Sequence, residues 1–235
     1  HDKVKRASSV AVWTSVGITL ALTAVYFMFN KPFLDMLGTD ANTFLPTKHY
    51  LDICVLFGIF MTMQTVMQAF LRSEGKIKES VIGMVIGTIT NIVLDPIFIL
   101  PWGLNMGTGG AAWATILGNA VSVVYFAIIY FKRNSFVSIR FSDFKPSKEI
   151  YSEILRIGVP SSAGQILMGA TNMVFNVLAV PYGDYVIPAY GVAGKMMYIS
   201  IIIVNGYTSG YLPLAGYNYG AKQYGRCKKI FWLCM

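Results

Sequence analysis

The sequence predicts an all-α integral membrane protein with six transmembrane helices. Of its 235 residues, 55% are hydrophobic and only 13% are charged, whereas a soluble domain carries about 25% charged residues. The mean hydropathy is +0.56. Each of six apolar segments is at least as long as the roughly 20 residues that a bilayer crossing requires. They are too long and too uniformly apolar for barrel strands, in which lipid-facing residues alternate with a period of two.

The six apolar segments are separated by polar connections. In chain order they cover residues 7–30, 50–71, 81–101, 111–131, 154–180 and 186–217. The longest polar stretch, 132–153, is the best internal boundary. The sequence therefore predicts an amino-terminal part, 1–131, with four helices, a linker, 132–153, and a second part, 154–235, with two helices.

The distribution of Lys and Arg predicts the orientation. Six crossings place both chain ends and the polar segments after the second and fourth helices on one side, which holds sixteen of the nineteen basic residues. The other side holds Lys31 and Lys48, and Lys195 lies inside an apolar segment. Because cytoplasmic loops are enriched in Lys and Arg, both ends of this chain are expected in the cytoplasm. The membrane is expected to be the plasma membrane.

The third apolar segment contains a carboxylate, Asp95, and an amide, Asn91, four residues apart. This spacing puts both on one helix face. Pro96 follows and removes a backbone N–H, which predicts a helix bend beside the acid. A charge at membrane depth normally faces a polar cavity and is functional. The alternative is a helix-packing amide and an acid near the outer interface.

Lys195 is a basic residue that lies about nine residues inside the sixth predicted span. Gly191 and Gly194 flank it on the same turn, and small residues let a neighbouring helix approach closely. Lys195 is therefore a candidate for lining a substrate cavity. The alternative is that its long side chain reaches the membrane interface.

The sequence lacks the residues that several other functions require. With His1 and His49 as the only histidines, no H-E-x-x-H zinc pattern exists, and there is no phosphate-binding loop pattern for ATP. The three cysteines show neither metal-ligand spacing nor a disulfide framework. The net charge of +8 lies in short loops between apolar segments, which favours membrane topology over nucleic-acid binding. The sequence predicts no enzyme and no cofactor.

Six motifs together resemble the multidrug and toxic compound extrusion (MATE) transporters. They are MQAFLRSEGK at 67–76, NIVLDPIFI at 91–99, GGAAWAT at 109–115, IGVPSS at 157–162, AYGVAGK at 189–195 and LPLAGYNYGA at 212–221. The resemblance implies a twelve-helix fold in two six-helix lobes, of which this chain supplies the third to eighth helices. The chain is thus expected to be an internal piece of a longer protein, with 132–153 joining the lobes.

The resemblance also implies a cation site. In proton-coupled members, an Asn and an Asp of the fifth helix, here Asn91 and Asp95, bind the coupling cation with a Thr of the next helix, here Thr115. A further Asp lies on the first helix, which this chain does not contain. Asn91 and Asp95 are also the candidates for binding Na⁺.

Some sodium-coupled members carry an acid in the seventh helix, but the matching segment here has none. It offers Gln165, Asn172 and Asn176, which lie close to one helix face and are candidates for lining the cavity of the second lobe. Hydrogen bonding between helices is the alternative role for these amides. The sequence leaves the coupling ion open between H⁺ and Na⁺.

The resulting prediction is a secondary active exporter that exchanges H⁺ or Na⁺ for amphipathic, often cationic, organic compounds. Its expected partners are small-molecule drugs or toxic organic cations and membrane lipids, with no nucleic acid and no obligate protein partner. A lipid-linked oligosaccharide flippase of related fold is the nearest alternative, but it would need several cations in its cavity. An intramembrane enzyme is a more distant alternative, because a membrane aspartyl protease needs a second acid facing Asp95.

Overall fold

The computed structural model describes residues 2–36, 43–132, 137–183 and 186–234, with side chains for all of these except 2, 35, 36, 176, 180, 187, 188, 209, 213 and 234. The described residues form nine α-helices and two short 3-10 helices, at Phe141–Asp143 and Val180–Tyr182. The α-helices are α1 (Asp2–Met28), α2 (Asn30–Met36), α3 (Phe44–Leu56), α4 (Gly58–Ser73), α5 (Ile77–Ile99), α6 (Gly107–Lys132), α7 (Lys148–Ala179), α8 (Val186–Gly220) and α9 (Tyr224–Cys234). The all-α membrane class is confirmed.

Four of these helices, α1, α5, α6 and α8, are long and apolar enough to cross a membrane. The second predicted segment is not one straight helix, because α3 and α4 meet at a bend of 52° and pass the same test only as a pair. Counting that pair as one span gives up to five within the described residues. Helix α7, with 32 residues, is long enough, but it is not among the described helices that are apolar enough to cross.

The chain divides into two compact units, His1–Leu167 and Met168–Met235. The first contains α1–α6, the predicted linker and the beginning of α7. The linker belongs to it because residues 137–141 pack along α1, where Ser9 Oγ donates to the carbonyl of Arg140 (2.8 Å) and Trp13 Nε1 donates to that of Ile139 (3.2 Å). The unit boundary therefore falls inside α7, and the predicted lobe boundary at 132–153 stays a prediction.

Helices α5 and α6 pack backbone against backbone at glycines. A Cβ atom placed on Gly118 would lie 2.6 Å from the carbonyl oxygen of Gly87, and one placed on Gly87 would lie 2.7 Å from that of Gly118. One turn away, Ser122 Oγ donates to the carbonyl of Gly83 (2.9 Å), and Phe126 covers the space that a Cβ of Gly83 would fill. Small residues therefore set the separation of these two helices.

Within the second unit, an aromatic pair and the packing of α9 on α8 provide the main contacts. Phe175 and Tyr190 stack with ring centroids 3.7 Å apart, and α9 returns against the end of α8, where Cys227 Sγ approaches the carbonyl of Ala215 at 3.7 Å. The apolar side chains of α8 are mostly exposed, as at Met196, where 70% of the surface is accessible. This surface is the kind that a membrane helix covers with lipid or with other helices.

Candidate functional site

The structure brings the three predicted cation-site residues together. Asn91 and Asp95 lie one turn apart on α5, and Asn91 Nδ2 is 3.4 Å from Asp95 Oδ1 and 3.4 Å from Thr115 Oγ1 on α6. All three side chains are partly buried. Thr115 Oγ1 donates to the carbonyl of Ala111 (2.9 Å), so its lone pairs accept from the amide. Asn91 is therefore the bridge between the acid and the hydroxyl.

The close glycine packing of α5 and α6 makes this bridge possible. A Cβ on Gly118 would lie 3.2 Å from Cβ of Asn91, tighter than an ordinary contact. Gly118 thus leaves the space beside Asn91 that lets the amide reach across to Thr115, one turn earlier on α6. The position of the amide depends on the helix pair as well as on its own helix.

Tyr50 on α3 joins the three residues, and the sequence reasoning missed it. Its hydroxyl lies close enough to Thr115, Cys54 and Asp95 to interact with them electrostatically. Tyr50 stands at the edge of its apolar segment, and only its spacing of four from Cys54 marks it in the sequence. Nothing local in the sequence indicates that α3 packs against α6, which is what brings Tyr50 to the site.

A polar cavity of about 130 Å³ lies beside the cluster, between α4, α5 and α6. Its lining combines amides, hydroxyls and glycines with one methionine: Gln64, Met84, Gly87, Thr88, Asn91, Thr115, Gly118, Asn119 and Ser122. One turn from Gln64 on α4, Gln68 has a buried Nε2 atom with no hydrogen-bond partner within the described residues. Such a cavity can hold water molecules, and polar surroundings of this kind lower the cost of a charge at membrane depth.

Asp95 has few partners of its own. Within the described ranges it forms no ion pair, and the amide of Asn91 is its only hydrogen-bond donor. A carboxylate offers about four acceptor positions, so most of its capacity remains open. Carboxylate, amide and hydroxyl oxygens are hard donors that suit a proton or Na⁺ rather than a transition metal.

A second acid in the same unit, Asp52, has a partner on each of its carboxylate oxygens. Tyr26 Oη donates to Asp52 Oδ1 (2.9 Å), and Lys48 Nζ pairs with Asp52 Oδ2 (2.7 Å). Both oxygens are satisfied and a cation compensates the charge, so Asp52 connects α1 to α3. Its hydrogen-bond partners in the described ranges differ from those of Asp95, whereas the two acids of a catalytic pair would face each other across one site.

Pro96 does not break its helix. Helix α5 continues through Pro96 to Ile99, and the carbonyl of Pro96 accepts from the N–H of Leu100 (3.2 Å). The connection to α6 then folds back, with the N–H of Leu104 donating to the carbonyl of Ile97 (2.8 Å). The missing N–H of Pro96 leaves one carbonyl in the preceding turn without its helical donor, so a weak point remains beside Asp95.

Three of the four predicted cavity residues of the second lobe have no polar partner in the described part of the chain. Gln165, Asn172 and Lys195 are exposed, and none of these three forms a side-chain hydrogen bond or ion pair within the residues that the structure describes. The side chain of Asn176 lies outside the described part. The cavity role of these four residues stays a prediction.

The family model MatE matches residues 1–97 and 160–235 of the chain. Among curated proteins, the chain is 32% identical over 230 residues to the multidrug export protein MepA of Staphylococcus aureus, covering 98% of this chain and 50% of that protein. It is 32% identical over 219 residues to MepA of Staphylococcus haemolyticus, covering 93% and 48%. The chain thus spans about half the length of the curated relatives it matches.

Solved structures of transporters share the fold. An outward-facing multidrug resistance MATE transporter of the MOP superfamily superposes with a TM-score of 0.86 at 26% identity, covering 98% of this chain and 51% of that one. A MOP superfamily transporter of Pyrococcus furiosus, described as having a binding pocket of reverse polarity that suggests a different function, gives a TM-score of 0.81 at 28% identity, covering 98% and 52%. A MATE structure in complex with MaL6 gives 0.86 at 25% identity, covering 99% and 52%.

Proposed function

The chain belongs to the multidrug and toxic compound extrusion family, and from that premise we propose that it supplies the third to eighth helices of a cation-coupled multidrug exporter. Its length, about half that of the MepA proteins, supports this assignment. So does the family match in two separate segments, 1–97 and 160–235, which is consistent with pieces of two lobes. The description of MepA as an export protein favours export over the flippase alternative.

The observation that carries the coupling proposal is the bridge from Asn91 to Asp95 and Thr115, at 3.4 Å on both sides. When Asp95 is ionised, the amide supplies one donor, and the remaining charge requires a proton or Na⁺. For Na⁺, the ligands are oxygens of Asp95, Thr115 and, after rotation of its amide, Asn91. Protonation instead makes Asp95 neutral and gives it a donor of its own.

This change in bonding provides a route to conformational change. A coupling ion shifts the balance between inward-facing and outward-facing states only if it binds them with different affinity. Asn91 contacts both α5 and α6, so a rearranged amide alters the constraint between the two helices. Pro96 supplies the weak point in α5 at which this segment bends differently in the two states.

The substrates proposed are amphipathic, often cationic, organic molecules. The support is family membership, together with relatives described as multidrug export proteins and a MATE structure in complex with Br-NRF. Lys195, Gln165, Asn172 and Asn176 are the proposed lining residues of the second lobe. The uneven distribution of Lys and Arg supports a plasma-membrane protein with both ends of this chain in the cytoplasm.

The test is efflux of a cationic dye by the full-length transporter in proteoliposomes, with proton and sodium gradients imposed separately. Efflux driven by one of the two gradients identifies the coupling ion. Asp95→Asn should insert and fold normally but abolish the efflux driven by that gradient. Undiminished gradient-driven efflux by this variant would refute the assignment of Asp95 as the coupling residue.

A further inference from the structure

A basic cleft lies where the predicted linker packs against the start of α1. It is lined by Lys5 and Arg6 of α1 and by Asp143 and Lys145 of the linker, and it encloses about 130 Å³. The three cations and one acid give the lining a net charge of +2. Within the described residues, none of these cations forms an ion pair with Asp or Glu. The cleft therefore presents uncompensated positive charge.

The cleft is built by a network that fixes the linker on α1. Ser8 Oγ accepts from the N–H of Ser138 (2.9 Å), and Ser9 Oγ donates to the carbonyl of Arg140 (2.8 Å). Both serines are buried. Trp13 adds an edge-to-face contact with Phe141, with ring centroids 5.0 Å apart. Because these contacts lie one or two turns from Lys5 and Arg6, they hold Lys145 of the linker beside the two cations of the helix.

The acid of the cleft is already oriented. Ser138 Oγ donates to Asp143 Oδ2, while Asp143 Oδ1 accepts no hydrogen bond within the described residues. Asp143 therefore does not neutralise the three cations by pairing with them. Its remaining oxygen is an acceptor for a hydroxyl group on a ligand that the cations hold.

The position of the cleft at the start of α1 indicates that it lies at the membrane surface. The candidate membrane span within α1 begins at Lys3, so Lys5 and Arg6 lie in its first two turns, where a membrane-crossing helix meets the lipid headgroups. Val4, on the same turn, is 50% exposed and is suited to contact an acyl chain. Basic residues at this level attract anionic lipids, and each contributes about a fivefold factor in affinity.

We propose that this cleft binds the headgroup of an anionic phospholipid, with the phosphate on Lys5, Arg6 and Lys145 and a headgroup hydroxyl on Asp143. The bound phosphate bridges α1 and the linker and strengthens the attachment that the serines provide. This lipid site is separate from the proposed coupling site at Asp95.

The test measures binding of short-chain phosphatidylglycerol to the full-length transporter by native mass spectrometry, with phosphatidylcholine and inorganic phosphate as the other ligands. The proposal predicts that phosphatidylglycerol binds more tightly than phosphatidylcholine and that the triple variant K5Q/R6Q/K145Q raises its Kd by at least about tenfold. The matched control, K222Q/K228Q/K229Q, removes the same charge from the second unit and should leave this Kd unchanged. The single variant K145Q, on the exposed linker, should show part of the loss if the triple variant fails to fold.

Three results would overturn the proposal. Equal binding by wild type and the cleft variants would show that these cations do not hold the lipid. An equal loss in the control variant would show that only overall charge matters. Complete displacement by inorganic phosphate at the same concentration as the lipid would make this a site for free phosphate and exclude the lipid assignment.

Discussion

Two acids within the apolar segments of the first unit, Asp52 and Asp95, have opposite surroundings. Asp52 receives a phenol and a lysine, one on each oxygen, at 2.9 and 2.7 Å. Among the described residues, Asp95 receives only a long hydrogen bond from Asn91, at 3.4 Å, and it lies near a polar cavity. An acid with a built-in cation has its charge compensated permanently and stabilises the fold. An acid without one remains available to a mobile cation, which is the property that ion coupling requires.

The largest effect on efflux among these substitutions should come from removing the Asn91 amide that donates to Asp95. Asn91→Leu keeps the approximate volume of the side chain but removes the link between Asp95 and Thr115. Gradient-driven efflux by the full-length transporter should fall by about fivefold to a hundredfold, the factor that corresponds to a typical coupling free energy of about 1–3 kcal/mol. Transport in proteoliposomes checks this, with membrane insertion verified in parallel. Wild-type efflux in this variant would show that the amide bridge is not part of the coupling site.

A smaller effect should follow from separating α5 and α6. In Gly118→Ala the new methyl group would lie 2.6 Å from the carbonyl oxygen of Gly87, and overpacking of this kind costs about 1–3 kcal/mol. The control is Gly17→Ala, because nothing lies within 4 Å of a Cβ at Gly17. Thermal unfolding in detergent should show a lower midpoint for Gly118→Ala only. Equal midpoints would contradict the close approach of the two helices.

Removing the hydroxyl that donates to Asp52 should lower the stability of the fold and leave ion coupling unchanged. Tyr26→Phe deletes the phenolic hydroxyl that donates to Asp52 Oδ1, and loss of one hydrogen bond costs about 1 kcal/mol. Lys48 continues to compensate the charge. The unfolding midpoint should fall slightly, while the ion dependence of efflux stays that of the wild type. A changed ion dependence would remove the distinction between the two acids.

The smallest effect on stability is expected at Lys195, which is exposed. If Lys195 lines the substrate cavity, as proposed, Lys195→Met should change the order of substrate preference without changing expression. Efflux measured for several dyes of different charge tests this. An unchanged order of preference would leave Lys195 as a residue that reaches the membrane interface.

The sequence predicted those parts of the site that depend on one helix. Asn91 and Asp95 are four residues apart, and helical geometry alone places them together. Thr115 followed from the family resemblance, and the structure places it next to Asn91. Tyr50 was missed because its position depends on α3 packing against α6, and hydrophobic periodicity carries no information about which helices pair.

Two features of the fold also lie beyond local patterns. The bend between α3 and α4 falls at Phe57, where no proline signals a break and only Gly58 follows. The linker was predicted as a polar boundary, but its backbone hydrogen bonds with Ser8, Ser9 and Trp13 come from residues more than a hundred positions earlier. Such contacts are set by tertiary packing.

The most direct test of the difference between the two acids is cation release on substrate binding. Purified full-length transporter, equilibrated with its coupling ion, is mixed with substrate, and the released H⁺ or Na⁺ is counted for wild type, Asp95→Asn and Asp52→Asn. Substrate should release the ion from wild type and from Asp52→Asn and should release none from Asp95→Asn. Release from Asp95→Asn equal to that of the wild type would contradict the assignment of Asp95 as the coupling site.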